Sequence, residues 1–240
     1  MMKRPKIICH MLTSINGKIS GDYMSSKYAI VGGKAYETTN DSYLSQAWLC
    51  GRVTMEKNFT HFHKPKLKEI ETPYPRTDYV AQANAQMYIV SADPAGKVGW
   101  IENNVQYENR PEAHVIEILT DKASDEYVAY LRERQISYIF AGQELIDCTL
   151  ASEKLLNLFG IKTLMVSGGG YINWSFLQEG LIDEVSIVMT PVTDGRTDTN
   201  TIFERADNLP EIAPVGFKLK SVDIIEEDTL WLRYSVNNKD

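Results

Sequence analysis

The sequence predicts an α/β fold of three layers, with helices on both faces of a mostly parallel sheet and an antiparallel C-terminal hairpin. Three observations carry this reading. Short, continuous apolar runs alternate with helical patterns along most of the chain, as strands buried on both faces do when helices connect them. Near the end the alternation stops, and two strand-like runs follow one another across the acidic turn Glu226-Glu227-Asp228. Between these regions an apolar run, Leu164 to Val166, passes through Gly168-Gly169-Gly170 into Trp174–Leu177, which reads as a helix. No repeat, low-complexity tract or clean linker divides the 240 residues, so one domain over 1–240 is expected.

The elements follow in order. Lys6–Leu12 is a continuous apolar run, and Asn16-Gly17 after it is a strong turn signal. A helical stretch from about Lys34 to Gln46 places Glu37, Asp41 and Ser42 near one another on successive turns. Ala47–Cys50 reads as a second buried strand that ends in Gly51-Arg52-Val53-Thr54, where a short helix starts. From Lys57 to Gln86 the pattern lapses into a polar, turn-rich stretch, and a loop of that length is functional or mobile. Its His61-x-His63 has no acidic or cysteine partner at metal spacing and reads as surface histidines, so no metal is expected. Met87–Ser91, His114–Leu119, Ile136–Gly142 and Leu181–Met189 read as further strands. Ser124 or Asp125 caps a helix to Arg134, and Leu145–Phe159 is largely helical up to Gly160. Phe217–Ile225 and Thr229–Val236 form the closing hairpin.

Composition narrows the function classes. A formal net charge of −7 argues against nucleic acid as a partner. No run approaches the roughly 18 apolar residues of a membrane span. The opening Met1-Met2-Lys3-Arg4 leads into a run broken by Cys9 and His10, unlike a secretory leader. Cys9, Cys50 and Cys148 lie far apart without paired spacing, which suits buried thiols in a reducing cytoplasm.

The chemistry is expected beyond the carboxyl ends of the strands, where open α/β sheets bind ligands. Asn16, Arg52, Ser91 and Gly168 to Gly170 all fall just past predicted strand ends. Glycines between a strand and a helix let backbone approach a ligand closely, and the helix start behind them favours a phosphate. Taken alone, a glycine run is a flexible turn, Arg52 a solvated charge and Thr54 a helix cap.

Four motifs in this order carry a resemblance over nearly the whole chain. They are Ser14-Ile15-Asn16-Gly17-Lys18-Ile19, Gly51-Arg52-Val53-Thr54, Gly168-Gly169-Gly170, and Leu181-Ile182-Asp183-Glu184 leading to Thr190-Pro191-Val192. With them the chain resembles the dihydrofolate-reductase-like reductases typified by the C-terminal domain of the bifunctional riboflavin-biosynthesis deaminase–reductase. The zinc-deaminase signature is absent, so the likeness is to a stand-alone reductase. The resemblance implies a dihydrofolate-reductase-like fold, an NADPH cofactor, hydride transfer to a C=N or C=O of a pyrimidine- or pterin-like substrate, and a homodimer. It implies that Arg52 meets the adenosine 2′-phosphate, Thr54 the pyrophosphate, and Ser91 the adenosine side. Gly168, Gly169, Gly170, Tyr171 and Ile172 wrap the pyrophosphate and nicotinamide half.

On the substrate side the catalytic candidates are Lys18, to polarise or protonate the substrate, and Ser167, to hydrogen-bond substrate or nicotinamide. Asn16 and Ser26 are expected to face substrate, with Glu37 and Asp41 as proton sources on the facing helix. Here the chain departs from the riboflavin-pathway pattern. Asn16 stands for an aspartate, Ser167 for a glutamate, and the D-D-P-x-L-T-x-R run is replaced by Lys57–Pro65. Ser167 cannot do a carboxylate's acid–base work at neutral pH. The departures predict poor turnover of the ribosylaminopyrimidine with cofactor binding intact. Two alternatives stay open: dihydrofolate reduction, which wants a buried carboxylate from Glu37 or Asp41, and a non-catalytic nucleotide-binding protein.

Overall fold

The computed structural model describes residues 3–236. In chain order they form β1 (Lys6–Thr13), α1 (Lys27–Asp41), β2 (Ala47–Gly51), α2 (Arg52–Asn58), β3 (Met87–Ala92), β4 (Asn104–Val105), β5 (Ala113–Leu119), α3 (Asp125–Glu133), β6 (Ser137–Phe140), α4 (Cys148–Phe159), β7 (Thr163–Val166), α5 (Gly170–Gln178), β8 (Glu184–Met189), β9 (Phe217–Ile224) and β10 (Leu230–Val236). The fold is a mixed α/β one, mostly parallel, with an antiparallel C-terminal hairpin. Contacts divide it into two compact units. The first holds Gln46–Leu164 with the described residues before Lys6; the second holds Lys6–Ser45 and the chain from Met165 on. Strand β7 spans the boundary.

In the first unit β5, β3 and β2 run parallel, and β5 shares its other side between β4, antiparallel, and β6, parallel. All seven residues of β5 are buried, which is why its sequence is almost continuously apolar. The exceptions within it are His114 and Glu117. Helix α3 is capped by Ser124, whose Oγ accepts from Tyr127 N, and α4 by Asp147, whose carboxylate accepts from Leu150 N. Gly160 ends α4 at φ 68, the left-handed stop glycine favours. From Phe59 to Gln86 no helix or strand forms apart from one bridge, Tyr79 to Tyr138.

In the second unit β1 and β8 are parallel, β10 pairs antiparallel with β8, and β9 lies outside β10. A register shift between Arg233 and Tyr234 marks the hairpin. Helix α1 begins seven residues before the expected Lys34 and ends at Asp41. Two glycines, Gly32 and Gly33, sit in its middle and read as breakers in sequence. Packing explains Gly32: a Cβ there would run into the Thr190 side chain and come within 3.2 Å of Leu12 Cδ1. The cost of glycine in a helix is offset by the close approach of α1 to the strand ends. Helix α5 likewise starts earlier than expected, at Gly170. Sequence reading also missed the two-residue β4 and a 3-10 turn at Asp22–Ser25.

Candidate active site

In the second unit the segment after β1 is a loop locked from within. Ser14 Oγ donates to Asn16 Oδ1 (2.6 Å), and Lys18 N donates to Ser14 Oγ (3.1 Å). The loop is tied to the stretch after β8. Asn16 Nδ2 donates to the Asp194 carbonyl (3.1 Å), Ile15 N to the Val192 carbonyl (2.9 Å) and Ile19 N to the Asn200 carbonyl (2.9 Å). Lys18 Nζ donates to the Thr199 carbonyl at 2.7 Å. An ammonium has three N–H groups, so this contact aims Lys18 and leaves two donors. Asn16, by contrast, is spent on the loop itself. Ser26 caps α1, its Oγ accepting from Ala29 N at 3.2 Å.

The early start of α1 relocates two expected substrate residues. Ser26 stands at the helix start, while Glu37 is 11 residues on and Asp41 is the last residue. At 1.5 Å per residue they lie about 16 and about 22 Å along the axis from the cap. Asp41 is exposed and Glu37 half-buried. The helix therefore does not bring either carboxylate to the Lys18 loop. The dihydrofolate reading loses its candidate acid.

Ser167, half-buried, follows β7. Gly168 has φ +97, a conformation side chains rarely adopt. Gly169 is the N-cap of α5, and no side chain caps that helix. Gly170 makes a packing contact on its Cβ side: a Cβ there would come 2.6 Å from the Thr201 carbonyl oxygen. Tyr171 is exposed and Ile172 buried. Behind the helix start sits Glu204, which the sequence reading missed. Its carboxylate accepts from Thr201 N (2.7 Å) and Asn200 Nδ2, and its own N donates to the Gly170 carbonyl (3.1 Å). Glu204 reaches back three residues to the Thr201 N–H, one half of a capping-box arrangement with no helix behind it. Lys18 bridges to Thr201 from the other side.

In the first unit α2 opens with Arg52 directly after Gly51, again without a side-chain cap. Arg52 Nη1 pairs with Glu56 Oε2 one turn on, and Lys64 Nζ reaches Glu56 Oε1 at 2.9 Å. Thr54 is the third residue of α2. Ser91 is fully buried, opposite Glu117 in the β3–β5 register, with its hydroxyl beside that carboxyl. Its place is interior, away from solvent. Asp93 accepts from Lys97 N and from Val98 N (2.8 Å), and Trp100 Nε1 donates to Glu117. Burial drives the Glu117 carboxyl well above the usual range, with Asp93 adding to the rise, and burial raises Asp93 too. This buried acidic group, Glu56, Asp93 and Glu117, had no sequence signal beyond charges inside apolar strands. Burial holds the Cys50 thiol up at about 12, and Cys9, Cys50 and Cys148 are all free and buried. Among the described residues no cluster suits a metal, and no helix is long and apolar enough to cross a membrane.

A sequence profile described as the RibD C-terminal domain matches residues 5–231, across both units. Curated relatives are the proteins named 2,5-diamino-6-ribosylamino-4(3H)-pyrimidinone 5′-phosphate reductase of Methanothermobacter thermautotrophicus and Aquifex aeolicus. The first is 32% identical over 52% of this chain and 56% of its own length. The second is 33% identical over 42% of this chain and 47% of its own. The match thus spans about half the length of these relatives. Among solved structures, a pyrimidine reductase-like protein of Corynebacterium diphtheriae superposes with a TM-score of 0.62 at 14% identity, over 98% of this chain and 93% of that one. That last likeness speaks for the fold alone.

Proposed function

This chain belongs to the RibD C-terminal domain family, and from that premise we propose that it is an NADPH-dependent reductase of a ribosylaminopyrimidine phosphate, the substrate class named for its curated relatives. We read 1–240 as one functional domain, since the family match runs through both units. The observation that carries the cofactor reading is the start of α5, an N-cap glycine without a side-chain cap that follows the glycine run. Arg52 at the start of α2 adds a partly exposed guanidinium.

When bound, the cofactor supplies the hydride. The chain's own residues bind and orient. Arg52 keeps Nε and Nη2 for a phosphate after giving Nη1 to Glu56. Thr54 lies two residues beyond it. Gly168, Gly169 and the leading amides of α5, with Tyr171 and Ile172, form the polar cradle for the pyrophosphate and nicotinamide half. Ser91 supports from the strand interior. Lys18 Nζ, aimed by the Thr199 carbonyl, polarises the substrate and donates the proton. As a bare loop clamp Lys18 would need only that carbonyl, so Lys18→Met with retained folding and lost turnover separates the roles. Ser167 contributes a neutral hydroxyl beside the glycines.

We further read the protein as a cytoplasmic homodimer that takes no nucleic acid. Strand β9 is an edge whose Phe217, Leu219, Val222 and Ile224 are exposed. A groove of about 500 Å³ lined by Trp174, Leu177, Phe203, Ile212 and Phe217, with Arg205 and Glu211 also on its wall, adjoins its start. Exposed apolar edges invite pairing. Light scattering at micromolar concentration tests the dimer, and a lone monomer overturns it. The activity is tested by NADPH oxidation with 2,5-diamino-6-ribosylamino-4(3H)-pyrimidinone 5′-phosphate. Tight cofactor binding without turnover of this or related pyrimidines leaves the non-catalytic reading.

A further inference from the structure

We propose that Lys64, held beside Arg52 on the buried carboxylate of Glu56, is a second cation for the 2′-phosphate monoester of the cofactor's adenosine. The proposal rests on the NADPH reading above and adds a residue from the irregular 57–86 stretch. Three features of the chain put Lys64 where it is. After α2 the backbone reverses through His61 (φ 48) and Phe62 (φ 57), two successive non-glycine residues in the left-handed region, a conformation that persists only where surroundings enforce it. The reversal is closed by Phe62 N to the Glu56 carbonyl (2.7 Å) and His63 N to the Thr60 carbonyl (2.8 Å). The returning chain then lies on Gly99, where a Cβ would come 2.9 Å from the Lys64 carbonyl carbon.

The outcome is one carboxylate shared by two cations. The Glu56 side chain is 3% exposed, while Arg52 is 36% and Lys64 68% exposed. The anion is inside and both cationic heads reach the surface. Among the described residues Lys64 Nζ has no acceptor besides Glu56 Oε1. The ion pairs set two cations, Arg52 and Lys64, on the single carboxylate of Glu56. One charge of the pair is therefore left over for an external anion. A phosphate monoester dianion matches two converging donors, while the ribose hydroxyl of NADH does not. An exposed lysine that merely anchors its loop gains little from such a pair and has no reason to distinguish the two nucleotides.

The test is calorimetric titration of the full chain with adenosine 2′,5′-bisphosphate and with 5′-AMP, which needs no turnover. The parent should prefer the bisphosphate. Lys64→Ala should weaken the bisphosphate about tenfold with 5′-AMP unchanged, and Lys64→Arg should keep most of the preference. Lys64→Met, which keeps the apolar stem, should behave as Lys64→Ala. A preference that survives both neutral variants overturns this proposal alone, as does equal weakening of both nucleotides. A parent without preference overturns the NADPH reading and the proposal with it.

Discussion

Helices α2 and α5 both take a glycine as N-cap and receive no side-chain cap, whereas α1, α3 and α4 are capped by Ser26, Ser124 and Asp147. Beyond that the two starts diverge. Around α2 the chain gathers full charges, Arg52 and Lys64 over Glu56. At α5 the first turn is Gly170, Tyr171 and Ile172, and the nearby carboxylate of Glu204 is engaged by Thr201 and Asn200. A phosphate diester carries one charge, which backbone amides and the helix dipole suffice to hold. A monoester dianion calls for cations. The difference teaches that one helix start is built on full charges and the other on backbone alone; under the cofactor reading proposed above, the charged start suits the 2′-phosphate monoester.

The largest test of that contrast is Arg52→Ala. A charge-assisted bond to phosphate contributes about 1.5–3 kcal/mol, so NADPH affinity should fall about 10- to 150-fold while NADH affinity holds. Equal affinities for both cofactors in the parent, by calorimetry, would break the comparison at its base. Next is Ser167→Glu on the α5 side. It restores a charged acceptor beside the glycines, and catalytic efficiency with the ribosylaminopyrimidine should rise by an amount worth about 1–3 kcal/mol with cofactor affinity unchanged. A parent efficiency already at roughly 10⁴ M⁻¹s⁻¹ would sink the expectation of poor turnover.

Gly170→Ala sharpens the point that this glycine serves packing. Its methyl meets the Thr201 carbonyl, and overpacking costs about 1–3 kcal/mol, at about 2–4 °C of Tm per kcal/mol for a chain of this size. Gly33→Ala, with nothing within 4 Å of the new methyl, should leave Tm level or raise it slightly. An equal loss in both variants would refute the packing account.

The smallest effects are in pH. Burial lowers His114 from about 6.5 to about 4, with Nε2 2.8 Å from Ser137 Oγ. Its folded pKa lies below the unfolded one, so the unfolded chain takes up a proton the folded chain refuses. Stability tied to His114 is complete above pH 6.5 and declines as pH falls towards 4. Glu117 runs the other way. Its raised folded pKa means that the unfolded state ionises first, and stability declines as pH rises above about 4.5. Glu117→Gln should flatten the alkaline side of a Tm–pH profile and His114→Gln the acid side. An unchanged profile in Glu117→Gln would mean that the acid behind Arg52 is ionised, which weakens the case for surplus positive charge at α2.

Much of this was legible in the chain because buried parallel strands leave unbroken apolar runs. The expected strands, from Lys6–Leu12 to the closing hairpin, lie where apolar content and turn residues place them, and the Ser124 cap and Gly160 stop follow from local chemistry. What failed depends on contacts distant in sequence. Gly32 looks like a breaker until Thr190 is seen against it, and misplacing the start of α1 carried Glu37 and Asp41 to the wrong end of the helix. Glu56 and Lys64 are ordinary surface charges in sequence. Only the reversal at His61-Phe62 makes them partners. Ser91, expected just past a strand end, lies inside β3 and is fully buried.

Gly32 also acts as a shim. Thr190, which it admits, is itself pinned to Thr13 through both N and Oγ1, so the floor beneath α1 does not yield. Any side chain at position 32 must lift the helix instead. The Ser26 cap rides with it, and so does the turn whose Tyr23 hydroxyl holds the Lys18 carbonyl at 2.7 Å. A packing glycine thereby becomes a height adjustment for Lys18, the lysine proposed above to act on substrate. Gly32→Ala should register as a change in KM and kcat well before it registers as a failure to fold.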